Sequence, residues 1–281
     1  MSLPNASDPR TILITGASSG IGLATAVLLK SRGWRVFGTA RKPDDLARLA
    51  NETGIEAVPL ELTDPASVAA AAETVLARTN GQLDALFSNA AFGQVGAMED
   101  ISGDLLRRQF EVNVIGLHEL TRLVIPAMRH RGRGRIVQCS SVLGLVSGPY
   151  RGAYSASKFA LEGLTDALRM ELAGTGLHVS LVEPGPIRTK FLATALDNFV
   201  ATIDIANSPH RAAYEARLAK MRAGGATGYK LEPEAVAEKV RQAVESARPK
   251  ARYYVTFPTY VAAYAKRLVP GSVLDWIARK M

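Results

Sequence analysis

Apolar residues in the first two thirds of the chain follow two alternating rhythms. Short unbroken apolar runs read as buried strands, and longer stretches with apolar positions three and four apart read as helices. The predicted strands are Thr11–Thr15, Arg35–Thr39, Ala57–Leu60, Leu83–Ser88, Arg135–Ser140 and His178–Glu183. The predicted helices are Gly20–Ser31, Pro43–Asn51, Pro65–Arg78, two before Arg131, and Ala153–Ala173. Strands that alternate with helices at this spacing imply a parallel sheet with right-handed crossovers, covered on both faces: a doubly wound α/β fold. Residues 188–230 lose the alternation and are long enough for a helical substrate loop or lid. A helix over Leu231–Val244, a short strand over Arg252–Thr256 and one or two amphipathic helices over Tyr260–Lys280 complete the chain. No linker or repeat interrupts it, so residues 1–281 are expected to form a single domain, with 248–281 as a basic C-terminal helical extension.

Composition narrows the class. Hydrophobic residues make up 47% and charged residues 21%, the balance of a globular protein rather than a disordered one. No apolar run approaches the roughly 18 residues that a membrane span needs. The first ten residues are polar and lack the apolar core of a signal peptide. One cysteine, Cys139, cannot form an internal disulfide, which fits a reducing, cytoplasmic location. The four histidines are scattered and offer no metal site. Net charge is +8, but the segment from Arg248 onward holds seven basic residues and one acid, so six of the excess charges lie there. A local basic tail is indicated, not a protein-wide nucleic-acid surface.

The first strand runs into Thr15-Gly16-Ala17-Ser18-Ser19-Gly20-Ile21-Gly22. Gly16 permits a tight turn, while Gly20 and Gly22 let a diphosphate approach the backbone where the free N–H groups of a helix start favour anions. Ser18 and Ser19 add hydroxyl donors, and Ile21 sits within the turn. The segment lacks the Gly-Lys-Ser/Thr ending of a triphosphate loop, which argues against an ATPase. The second strand ends Gly38-Thr39-Ala40-Arg41-Lys42. An NAD site places an acid near here to bind the ribose 2′-hydroxyl. This chain instead offers Arg41, Lys42 and the Thr39 hydroxyl, which suit a 2′-phosphate, so NADP is expected over NAD.

Tyr154 and Lys158 open the long helix after the fifth strand. Four positions apart, they lie about 40° from each other around the helix. A phenol with an ordinary pKa of about 10 is a poor base at neutral pH, and a nearby ammonium lowers that value. Lys158 supplies the ammonium and can also reach a nicotinamide ribose. Ser141, thirteen residues before Tyr154, is the candidate to polarise a carbonyl or alcohol oxygen, with Ser140 as the competitor.

These pieces resemble the single-domain branch of the short-chain dehydrogenase/reductase family, which has a Rossmann-type sheet. The matching segments are Thr15–Gly22, Asp64, Asn89-Ala90-Ala91, Asn113, Ser141, Tyr154/Lys158 and Pro184-Gly185, in family order across roughly residues 10–190. The resemblance implies hydride transfer between a nicotinamide and a carbonyl or alcohol, with Tyr154 moving the hydroxyl proton. It implies that Asn113 holds a water that links Lys158 to solvent, that Asp64 contacts the adenine and that Asn89 supports the sheet beside the cofactor. Pro184, Gly185, Ile187 and Thr189 would line the nicotinamide side. The family's usual Asn-Ala-Gly is Asn89-Ala90-Ala91 here, which adds a methyl close to the cofactor.

The expected pocket walls, Phe92, Gln94, Leu143–Tyr150 and Phe191, with Leu192 and Phe199, are mostly apolar and suit a lipophilic aldehyde, ketone, steroid or retinoid. Relatives commonly form homodimers or homotetramers. The tail resembles the extended carboxyl end of retinol- and hydroxysteroid-dehydrogenase-like relatives, and its basic, aromatic helices can rest on an anionic membrane, cover the pocket or pair two subunits. The rival readings are an NAD-preferring alcohol dehydrogenase, a non-catalytic dinucleotide-binding redox sensor, and a tail-driven membrane or nucleic-acid binder.

Overall fold

The protein is described by a computed structural model over residues 9–222 and 230–279. Residues 1–8, part of the expected lid (223–229) and the last two residues of the tail (280–281) lie outside the described residues. Seven strands form one parallel sheet in the order β3-β2-β1-β4-β5-β6-β7. They are β1 (Thr11–Ile14), β2 (Arg35–Ala40), β3 (Glu56–Pro59), β4 (Ala85–Ser88), β5 (Gly134–Cys139), β6 (Leu177–Glu183) and β7 (Arg252–Tyr254).

The crossover helices are α1 (Gly20–Ser31), α2 (Pro43–Thr53), α3 (Pro65–Arg78), α4 (Gly103–Phe110), α5 (Gly116–His130) and α6 (Gly152–Glu171). Beyond them lie α7 (Phe191–Thr202), α8 (Arg211–Arg222), α9 (Pro233–Glu245), α10 (Phe257–Leu268) and α11 (Gly271–Arg279). Proline opens α2, α3 and α9, where its missing N–H would have had no helical partner.

Strand alternation divides the core into two layers. Ile12, Ile14 and Phe87 face one side, against Leu29 of α1 and Val236 and Val240 of α9. Leu13 and Leu86 face the other, against Val75 of α3 and Leu120 and Val124 of α5. The 188–230 segment has its own small core, in which Phe199, Ile203 and Tyr214 pack against Val95 and Ala97.

The chain lays down β1, β2 and β3 outward, then returns to place β4 on the other side of β1. At such a reversal the loops leaving the two neighbouring strands diverge and open a crevice at their carboxyl ends. The Gly-rich turn leaves β1 there and Asn89-Ala90-Ala91 leaves β4. Most expected boundaries shift by one to three residues. The fourth strand begins at Ala85 rather than Leu83, and the last, which starts at Arg252, ends by Tyr254.

Candidate active site

The turn after β1 leaves the start of α1 open. Gly16 and Gly20 take left-handed backbone angles, φ 64° and 55°. A Cβ on Gly22 would come within 2.2 Å of the Gly16 carbonyl, so only glycine lets the turn close this tightly. The N-cap residue, Ser19, makes no side-chain capping bond and no acid occupies the first turn, so the first helical N–H groups stay available. A cradle of bare backbone donors fits a diphosphate. Asn89 braces it, donating from Nδ2 to the carbonyls of Thr15 (3.1 Å) and Gly16 (3.3 Å). The Asn89 and Ala90 N–H groups both donate to the Thr15 hydroxyl, at 2.8 and 2.9 Å. Ala91 lies half-buried beside them.

Basic side chains follow the end of β2. Arg41 is exposed, 3.9 Å from Glu61, and Lys42 is an exposed N-cap of α2. The Thr39 hydroxyl is buried and accepts the Gly16 N–H at 3.2 Å, so it holds the turn itself. Arg48, a residue the sequence did not single out, donates to the Ser18 carbonyl at 2.8 Å and to Asp45 at 2.9 Å. It adds a second guanidinium at the turn. Its signal was present as a basic residue less than two turns beyond Arg41 and Lys42. Asp64 caps α3 by accepting the Ala66 N–H at 3.0 Å and remains exposed.

Tyr154 and Lys158 project from the first turns of α6. The Ser141 hydroxyl lies close enough to Tyr154 to favour its ionised form. Ser140 instead lies buried beside Glu162 and Gly144, so Ser141 is the better match to the expected role. The Ser141 hydroxyl is itself held in place by accepting the Leu143 N–H at 3.1 Å. Lys158 is buried and donates to the Cys139 carbonyl at 2.7 Å, with Nζ 5.7 Å from the Tyr154 ring centre.

The electrostatics differ from the sequence expectation. Burial pushes the Tyr154 phenol above its ordinary value, against smaller opposing effects of the Ser141 hydroxyl and the Arg151 charge. Burial also lowers the Lys158 pKa. Burial outweighs the expected acidification of the phenol by its ammonium neighbour, because Lys158 turns toward the Cys139 carbonyl and both groups are desolvated. Arg151, the N-cap of α6, was not anticipated as a charge acting on the phenol.

Asn113 sits in a single π-helical turn, Glu111–Ile115, between α4 and α5. It accepts the Phe92 N–H at 3.1 Å and donates to the Phe92 carbonyl at 3.0 Å and the Ser157 hydroxyl at 3.1 Å. On the far side, the Pro184 carbonyl accepts the Val142 N–H at 2.8 Å, Gly185 lies against Thr256, and Ile187 bridges to Leu231. Thr189 closes over Gly20, with its methyl 3.1 Å from where a Cβ on that glycine would stand.

The expected pocket walls separate into two groups. Phe191 packs on the Tyr154 ring with centres 5.5 Å apart, the Phe92 ring lies under the Arg108 guanidinium at 5.6 Å, and Leu143 is buried in the turn that follows Ser141. Gln94 is buried, and its side chain bonds to Val95, Thr202 and Asn198. The Tyr150 ring packs on His210 and Tyr214, and Phe199 belongs to the same small core. These three hold the 188–230 segment to the body, because their polar and aromatic groups are already engaged there.

Similarity to known proteins follows this geometry. Residues 10–198 match the family described as short chain dehydrogenase. The chain is 46% identical over 268 residues to the uncharacterized oxidoreductase YbbO of Escherichia coli K12, covering 95% of this chain and 93% of that protein. It is 35% identical to human 17-beta-hydroxysteroid dehydrogenase type 1, covering 87% of this chain and 77% of that protein. Two solved structures share the fold. A short chain dehydrogenase/reductase of Burkholderia phymatum in complex with NAD matches with TM-score 0.77 and 30% identity, over 93% of this chain and 92% of that one. A point variant of actinorhodin polyketide ketoreductase with NADPH matches with TM-score 0.72 and 31% identity, over 88% of this chain and 96% of that one. Because the match runs through the turn, the sheet and the Tyr154 helix alike, the chain belongs to the short-chain dehydrogenases, NAD(P)-dependent oxidoreductases.

Proposed function

We propose that the protein reduces a lipophilic aldehyde or ketone with NADPH, using Tyr154 as the proton donor. The observation that carries this reading is the placing of Tyr154 and Lys158 on the first turns of α6, with the Tyr154 ring against Phe191 and the turn that follows Ser141 packed on the same helix. A phenol with an ordinary pKa of about 10 is protonated at neutral pH and can give its proton to a carbonyl oxygen.

When bound, the reduced nicotinamide supplies hydride to the carbonyl carbon. The chain's own residues do the rest. Ser141 donates a hydrogen bond to the carbonyl oxygen and orients it. Tyr154 transfers its phenolic proton to that oxygen, which leaves a phenolate that the Lys158 ammonium stabilises. Asn113 ties the Tyr154 helix to the loop after β4 and, as in the family, would hold a water that returns a proton through Lys158.

Arg41, Lys42 and Arg48, with no acid at the end of β2, support a 2′-phosphate and hence NADP. Gly16, Ser18, Ser19, Gly20, Ile21 and Gly22 would hold the diphosphate, Asp64 the adenine, and Pro184, Gly185, Ile187 and Thr189 the nicotinamide side. Phe92, Leu143 and Phe191 give the substrate an apolar wall, and a hydroxysteroid dehydrogenase among the relatives agrees with a large apolar substrate.

The reading takes residues 1–281 as one domain, 188–230 as its lid and 248–281 as its extension. Homodimers or homotetramers are supported by exposed Ile115, Phe159, Leu164 and Met170, just before α5 and on α6. The single buried thiol supports a cytoplasmic location. The test is consumption of NADPH, with NADH in parallel, against medium-chain aldehydes, steroids and retinoids. Faster turnover with NADPH on an apolar carbonyl is expected; faster turnover with NADH on every substrate would overturn the cofactor assignment.

A further inference from the structure

The α10 helix is built the wrong way round for a helix that only packs on its own core. Its small residues, Thr259, Ala262 and Ala263, are the buried ones. Its large residues, Phe257, Tyr260, Val261, Tyr264 and Leu268, are all exposed, Phe257 at 73% and Leu268 at 80%. Offsets of three, four, seven and eleven place these five within an arc of about 100°. A helix with an ordinary globular role turns such a stripe inward. The apolar surface continues onto α11, where Val273 and Trp276 are exposed one turn apart.

Charge identifies what this face meets. Exposed Lys266 and Arg267 lie at the carboxyl end of α10 and exposed Arg279 ends α11, against one acid, Asp275. Lys266 lies on the side of α10 opposite the stripe, 4.2 Å over the Phe159 ring of α6, so Arg267, at the stripe's edge, is the α10 cation that faces outward. Tyrosine and tryptophan on a face with a basic surplus match the interface of an anionic bilayer, where aromatic rings lie at headgroup depth and Lys and Arg meet lipid phosphates. A second copy of this chain would bring one basic edge against another. No helix among the described residues is long and apolar enough to cross a membrane, so this contact is with the surface.

We propose that α10 and α11 dock the protein on anionic lipid membranes through this outward stripe. The docking helix is close to the catalytic residues. It packs against the Val142–Gly144 turn that follows Ser141, and Thr256 at its start lies against Gly185. A docked protein therefore holds its cleft beside lipid-dissolved substrates. That consequence rests on the proposed reaction; the docking itself does not.

The test is flotation of the full-length protein with two kinds of vesicle, phosphatidylcholine alone and phosphatidylcholine with about a third phosphatidylglycerol. Wild type is expected to float about tenfold more with the anionic vesicles and to be released by high salt. The Val261→Glu/Leu268→Glu variant is expected to stay in the soluble fraction with an unchanged thermal midpoint, since both side chains are exposed. If that variant unfolds, Tyr264→Asp replaces it. Equal flotation on neutral and anionic vesicles, or equal flotation of wild type and a folded variant, would overturn the proposal. So would wild type that ignores vesicles but forms a dimer by light scattering which the variant breaks, because the face would then belong to a second copy. Reduction of a water-soluble carbonyl by protein that does not float would reject docking and leave the reaction standing.

Discussion

Asn113 donates from Nδ2 to the Ser157 hydroxyl at 3.1 Å, and this bond joins the π-helical turn before α5 to the helix that carries Tyr154 and Lys158. Both residues are buried, and the Asn113 amide also bonds to the Phe92 N–H and carbonyl. One side chain thus fixes the loop after β4 against the Tyr154 helix.

Asn113→Leu should strand the Phe92 N–H, while the Ser157 hydroxyl keeps the Tyr154 carbonyl as its acceptor at 2.7 Å. The expected loss is about 1–3 kcal/mol for the buried group left unpaired, read by denaturant unfolding. Turnover should fall further than the stability change explains, because the Tyr154 helix loses its register with the cleft. Wild-type stability and rate in the variant would show that the amide is dispensable.

A second expectation concerns Arg252 on β7. Its guanidinium pairs with Glu162 of α6, with Glu183 at the end of β6 (2.7 Å) and with Asp166 of α6 (2.6 Å). Arg252→Met removes the cation that the two buried glutamates share and should cost about 3–5 kcal/mol. Adding Glu183→Gln to that variant should recover part of the loss. A melting point unchanged by Arg252→Met would mean that the cluster contributes nothing net.

The same cluster sets a pH dependence. Burial, and then the charge of Glu162, push Glu183 from the ordinary 4.5 to about 7, against the pull of Arg252. A carboxyl whose pKa rises on folding holds its proton more tightly when folded. Its contribution is therefore full below about 4.5, declines as the pH rises to about 7 and is flat above that. Glu238 and Glu245 act oppositely. Arg241 leads in holding Glu238 at about 2, and Arg32 and Arg241 outweigh burial to hold Glu245 there, so both contributions are lost only in acid. Glu183→Gln should flatten the decline between 4.5 and 7 in thermal melts; an identical slope in wild type and variant would reject the assignment.

How much of this was legible in the sequence depended on whether the chemistry was local. The Gly16–Gly22 turn and the Tyr154/Lys158 spacing show themselves because their geometry is set within one turn of chain. The parallel, doubly wound sheet was legible because strand–helix alternation allows few topologies. The Arg252 cluster was not, since its carboxylates lie 69 to 90 residues away and meet only across β6 and α6. Gln94 and Tyr150 were read as pocket wall from their neighbours in sequence, but tertiary partners on α7 and α8 claim them. The titration of Tyr154 was also out of reach. Spacing gives the distance to Lys158 along the helix but not the burial of both groups, which outweighs their mutual effect here.

Cofactor choice is tested at Arg41. It is exposed and only loosely paired with Glu61 at 3.9 Å, so it is free to meet a 2′-phosphate. Arg41→Ala should raise KM for NADPH about 10- to 100-fold and leave KM for NADH nearly unchanged. Equal changes for the two cofactors would place Arg41 outside the phosphate contact.

The most direct measurement compares Tyr154→Phe with wild type in two readouts, the rate of NADPH-dependent carbonyl reduction and the affinity for NADPH by fluorescence. The change removes one oxygen from a half-buried ring that still packs on Phe191. The account predicts a rate lower by about a hundred- to ten-thousand-fold with NADPH affinity retained. A variant that reduces its substrate at the wild-type rate would show that the proton comes from elsewhere, and the proposed chemistry at Tyr154 would fall.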